Sequence, residues 1–136
     1  MEENIEINVE TLTNGLQVVN LFRDHILFED GTSVKPTNYK LRIASIKSDK
    51  EPTTVDEWRD NAPPQAGYTN LIRIDSIARV EDLEWMRKNI PKGVLILCPK
   101  AQAATYGFPC VTPSWKARID ERSVEHKIDE FYWSSV

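Results

Sequence analysis

Gly93-Val-Leu-Ile-Leu-Cys-Pro-Lys-Ala-Gln-Ala-Ala-Thr-Tyr-Gly107 is the stretch whose reading decides the fold. It holds the most apolar run in the chain, Val94 to Leu97, with Gly93 before it and Pro99 close behind. A continuous apolar run of this kind suits a strand buried on both faces of a sheet. Pro99-Lys100-Ala101-Gln102 then opens a short helix. A buried strand feeding a helix gathers free backbone N–H groups and a lysine at one point, where α/β domains often hold a ligand.

Upstream of this strand, Val80, Leu83, Met86 and Ile90 recur at helical spacing and predict a helix over about 80–90. Its acidic residues come first and Arg87 and Lys88 last, which complements the helix dipole. Pro91 stops it, and Gly93 releases the chain into the strand. Before it lies Ser48 to Gly67, rich in charges and holding Pro52, Pro63 and Pro64. This segment reads as an insertion or lid loop, with one helical turn near Trp58 behind the capping box Thr54-Val-Asp-Glu57.

Residues 1–15 carry four glutamates and no basic residue, and read as an acidic N-terminal extension with a short edge strand at Ile5, Ile7 and Val9. Asn14-Gly15 marks a turn. Glu29-Asp30-Gly31 sits between apolar segments and predicts a hairpin, because the Asp-Gly step supplies positive φ. Tyr39 to Ile46 alternates, with Tyr39, Leu41 and Ile43 on one face and Lys40, Arg42 and Ala44 on the other. From Pro109 onward two readings stay open. Ala117, Val124, Ile128 and Phe131 form a helical stripe, while Ile128, Phe131 and Trp133 equally suit a terminal strand.

The 136 residues make one domain large enough for a core, and the net charge of −4 argues against general nucleic-acid binding. No apolar stretch reaches the length of a membrane span, and the first residues lack the basic start and apolar run of a signal peptide. A cytoplasmic setting follows as the expectation. Two cysteines, Cys98 and Cys110, read as small buried hydrophobes in a reducing compartment. With only His25 and His126, no Cys/His cluster has zinc-site spacing, so neither a metal nor another cofactor is expected.

Val18-Val-Asn-Leu21, His25-Ile26, Asp30-Gly31, Pro36, Leu41-Arg-Ile43, Pro91-Lys-Gly-Val-Leu-Ile-Leu97, Ala101-Gln-Ala103 and Val111-Thr-Pro113 form an ordered series. In order and rough spacing the series resembles a family of small prokaryotic and phage proteins of unassigned function. That family opens on a strand and Asn-Leu-Thr-Pro-His. It continues with an Asp-Gly hairpin and a late Pro-x-Gly before an apolar strand. Here Phe22-Arg-Asp24 replaces Thr-Pro, with one extra residue before His25, and Cys98-Pro99 stands near the family's serine. The resemblance implies a compact mixed α/β fold and an intracellular setting, the host cytoplasm if the chain is phage-borne. It implies no activity.

Six side chains are candidate ligand contacts: Asn20, His25, Arg42, Trp58, Lys100 and Gln102. His25 suits a general base or a half-buried structural histidine. Arg42 grips an anion if its strand face lines a cleft, and is a solvated charge otherwise. Lys100 and Gln102 follow the buried strand directly. Trp58, on the proline-bearing loop, offers a stacking surface or simply anchors that loop. Asn20 is a ligand contact or a residue that fixes a loop. No catalytic residue is assigned.

The expected fold is α/β in the α+β sense: a mixed, strand-dominated sheet with one main helix. The expected function is non-catalytic binding of a small anionic or nucleotide-like ligand, sequestration of a signalling nucleotide included. The alternatives are an interaction module that docks a protein partner or assembles with itself as a homo-oligomer, and a small hydrolase or transferase using His25.

Overall fold

Val94–Leu97 forms strand β9 in the interior of a seven-stranded sheet. It lies between β2 (Gln17–Asn20) and β10 (Cys110–Arg118) and runs parallel to both, with Val19 opposite Ile96 and Val111 opposite Leu97. The apolar run is continuous because the strand has a core on each side. Val94, Ile96 and Cys98 enter one cluster, and Leu97 enters the other, with Leu95 packed against it. The computed structural model describes residues 6–47, 53, 54, 70, 71, 74–120 and 123–134.

The sheet order is β1 (Val9–Thr11), β2, β9, β10, β11 (Val124–Tyr132), β3 (Ile26–Phe28) and β4 (Ser33–Val34). Strand β1 is an antiparallel edge strand on β2, so the sheet takes in Val9 to Thr11 of the acidic segment. Leu12 behind it is buried. Asn14-Gly15 makes the turn, with Gly15 at φ +91° and the Asn14 side chain accepting the Leu16 N–H at 3.1 Å. The second hairpin, β3 to β4, turns at Asp30-Gly31 as the Asp-Gly step predicts, with Gly31 at φ +88°. The sheet curls until Pro36, just past β4, bridges Asn20 at the end of β2. Val18, Ile26, Phe28, Val34, Leu97 and Val111 fill the inside of the curl. The terminal segment, for which helix and strand were both open, is the β10–β11 ribbon.

Among the described residues two helices cover the outer face: α1 (Val80–Asn89) and α2 (Lys100–Tyr106). The main helix expected over about 80–90 is α1, and the short helix expected after Pro99 is α2. In α1 the boundaries match the spacing but the buried side differs. Val80 and Leu83 are 63% and 44% exposed, whereas Asp82 and Met86 point inward. The predicted strand at Tyr39–Ile46 begins only at Ile43, as β5 (Ile43–Lys47). Residues 39–42 keep the alternating burial without a strand partner.

Both core clusters belong to one compact unit, residues 1–43 and 78–136. The other unit, residues 44–77, contains most of β5, which pairs with β8 (Ile74–Ala78), and a short antiparallel pair of β6 (Thr53–Thr54) and β7 (Asn70–Leu71). Apart from Thr53 and Thr54, the proline-bearing loop lies outside the described residues. No helix among the described residues is long and apolar enough to cross a membrane.

Candidate functional site

Strands β2 and β9 are parallel neighbours, and the chain diverges beyond their carboxyl ends. After β2 it runs through Leu21, Phe22 and Arg23 toward β3. After β9 it passes Pro99 into α2, from which Gln102 faces back. The segment Pro36 to Leu41 closes the remaining side. Together these residues line a cleft of about 570 Å³. The size falls within the range of small-molecule sites, and the carboxyl end of parallel strands is where open α/β sheets hold ligands.

Asn20 builds one wall. It is fully buried at the end of β2. Its amide donates to Asp24 O at 2.8 Å and Val34 O at 3.0 Å, and its side-chain oxygen accepts the Phe22 N–H at 2.7 Å. One side chain therefore holds the loop after β2 against the strand before Pro36. The Thr37 N–H donates to Asn20 O at 2.7 Å and adds a second tie.

Asp82 builds the other wall. This carboxylate is 2% exposed and serves three donors. The Tyr39 hydroxyl bonds one oxygen; the Arg42 N–H, at 2.9 Å, and the Tyr106 hydroxyl, at 2.6 Å, bond the other. The Tyr106 oxygen also lies 2.6 Å from Arg42 O, so its single proton is shared between that carbonyl and Asp82, and it accepts the Arg79 N–H at 3.1 Å. Burial alone raises a carboxyl pKa, but the hydroxyls of Tyr106 and Tyr39 and the Arg42 N–H outweigh it and hold Asp82 below its ordinary value. Burial, and next the same carboxylate, push Tyr106 up to about 12. Tyr39 is further fixed by a parallel stack on Trp85, with ring centroids 3.7 Å apart.

The cleft carries positive charge. Arg23 and Lys40 are the charged side chains of its lining, and no carboxylate lines it among the described residues. Two of its residues also hold buried polar atoms with no hydrogen-bond partner, Thr37 Oγ1 and Gln102 Oε1. Thr37 is 3% exposed. An unpartnered buried oxygen is unfavourable by about 1–3 kcal/mol, so a ligand that supplies hydrogen-bond donors there removes a standing penalty. Phe22, Leu21, Leu41 and Tyr39 give the apolar surface on which a ring can lie.

Of the six expected contacts, Gln102 lines this cleft. Asn20 shapes it without lining it. Arg42 contributes its backbone to the Asp82 network, while its side chain is exposed and outside the lining. His25 is exposed just before β3, also outside the lining. Lys100 turns the other way and rests over the Tyr132 ring, 4.8 Å from its centroid. Trp58 lies outside the described residues. The expected gathering of N–H groups and lysine is therefore not what forms the site, and α2 is only 7 residues long. Arg23, Thr37, Tyr39 and Lys40 are the residues that sequence reasoning missed. Their signal was position: each follows a β2 or β4 terminus that the curl of the sheet brings to β9.

Both cysteines are buried. The Cys110 thiol and burial drive the Cys98 pKa up, while the hydrogen bond from Cys98 lowers that of Cys110. Comparison with family models, with curated proteins and with solved structures found no match.

Proposed function

We propose that the chain is a non-catalytic binding protein that holds a small anionic, nucleotide-sized ligand in the cleft between β2 and β9. The observation that carries this reading is the composition of the lining. Among the described residues of the lining, two cations stand without a carboxylate, beside two buried oxygens that lack partners. Arg23 and Lys40 pair with phosphate or carboxylate oxygens, and Gln102 and Thr37 take donors from the ligand's polar edge. The lining includes no histidine, cysteine, serine or carboxylate among the described residues; its proton-bearing side chains include Thr37, Tyr39 and Lys40, and the Tyr39 hydroxyl is taken up by Asp82. A protein of this kind acts by occupancy and withholds its ligand from other users.

A thermal-shift screen against nucleoside mono- and diphosphates, inorganic phosphate and small dicarboxylates tests the reading. A ligand present at 100 times its Kd stabilises the fold by about 2.7 kcal/mol. The Arg23→Ala, Lys40→Ala double variant abolishes that shift while melting normally by itself, because both side chains are exposed. Absence of any shift across the anions, or a shift undiminished in the double variant, overturns it.

A further inference from the structure

Four aromatic side chains on the far side of α2 are exposed where a small domain has little reason to expose them. Phe108 is 66% accessible, Trp115 61%, Tyr132 50% and Trp133 63%. They are contiguous. Phe108 and Trp133 meet edge to face at 6.3 Å. Trp133 and Tyr132 border one recess, Tyr132 and Trp115 border the next, and Lys100 lies between the two. Exposed aromatic groups gathered in one patch mark a contact surface.

We propose that this strip is where a second copy of the chain docks, giving a dimer with two-fold symmetry. The charges of the strip are mixed. Lys100 rests over the Tyr132 ring, and Arg118 lies 5.7 Å from the Trp115 ring. Glu130 stands beside them on the same ribbon, accepting the Ser114 hydroxyl at 2.6 Å. A surface with both signs around an aromatic centre is complementary to itself, as a two-fold interface requires. It suits a polyanion poorly, on a chain with a net charge of −4. The size is also right. Four aromatic groups of 150–250 Å² each, half to two-thirds exposed, offer roughly 500 Å² per copy and about 1,000 Å² for a pair, the threshold for a specific interface.

Docking goes through side chains rather than strand addition. Past Val111, β10 has no pairing on its β9 side among the described residues. Pro113 supplies no N–H there, and two register shifts follow between Pro113 and Ala117. These features block an added strand and leave the rings as the contact.

Sedimentation equilibrium of the full chain, from about 1 μM to about 1 mM, reads the outcome. The mass rises from 15.6 kDa toward twice that value. Trp115→Ala and Trp133→Ala each weaken association about tenfold or more without lowering the melting temperature. Lys100→Glu, which keeps every ring, weakens it too. A chain that stays monomeric throughout overturns the proposal, as does a dimer undiminished in the Trp115→Ala, Trp133→Ala variant. Quenching of tryptophan fluorescence by oligothymidylate in a monomeric chain assigns the strip to single-stranded nucleic acid instead and also overturns it.

Discussion

At the scale of single residues the decisive group is Asp82. A charge in a core persists only where donors replace water, and here Tyr39, Tyr106 and the Arg42 N–H do so. Tyr106→Phe keeps the ring and removes one donor, so it should destabilise by about 1–3 kcal/mol in denaturant melts. It should also change the response to acid. Asp82 is depressed in the fold, so its contribution is complete above the ordinary aspartate value of 3.8 and is lost as the pH falls below it. Asp30 acts in the same window. Burial raises it, but the N–H groups of Thr13 and Thr32 prevail and hold it at about 2. Stability of the native chain is therefore expected to fall in two stages, first below about pH 6.5, where burial resists the charging of His126, and then from about pH 4 downward, where the carboxylates are protonated. With Tyr106→Phe the second stage still begins near the ordinary aspartate value but is smaller and ends at higher pH, because Asp82, with one donor fewer, is depressed less. Superposable pH profiles for the two proteins would contradict this account.

Among the elements, β9 has neighbours on both edges and a core on both faces. Amide hydrogen exchange should be slowest over β2, β9 and the first residues of β10. It should be faster by orders of magnitude from Trp115 to Arg118, where β10 pairs on one side and bulges. Equal protection along β10 would refute that picture. This contrast also explains what the sequence disclosed. Val94–Leu97 was legible because two-sided burial forces an unbroken apolar run. The Asp-Gly and Asn-Gly turns were legible because only certain residues accept positive φ. The inward face of α1 was not. An aspartate pointing into the core makes sense only once Tyr39 and Tyr106, 43 and 24 residues away, are seen beside it. Likewise Tyr39–Arg42 alternates like a strand but spends its contacts on Asp82 and Trp85 instead of on a neighbouring strand.

For the molecule as a whole, the cleft was the least legible feature. It is made by curling, which sets Pro36 against Asn20 and so brings Arg23, Thr37 and Lys40 to the end of β9. Period and propensity record which way a side chain faces, not which distant strand ends converge. Gln102 was found because it follows β9 immediately. The division into two units carries its own prediction. All described residues of both core clusters lie in residues 1–43 and 78–136. Replacing residues 44–77 with a short Gly-Ser linker should leave a cooperative thermal transition and the near-ultraviolet dichroism of the buried aromatics. A gradual, non-cooperative melt would show that the sheet depends on the replaced segment.

Arg42 and Arg79, each one residue inside the points where the chain leaves and re-enters the sheet unit, are held by one cluster of hydroxyls and a carboxylate. Arg42 gives its N–H to Asp82 and its carbonyl to Tyr106, and Arg79 gives its N–H to the same Tyr106 oxygen. The exit and the return are thus clasped from the sheet side, next to the pairing of β5 with β8. Such a clasp works as a socket. Segments of different length and chemistry can be exchanged there over evolutionary time, or by an engineer, while the sheet, its cleft and its aromatic strip stay as they are.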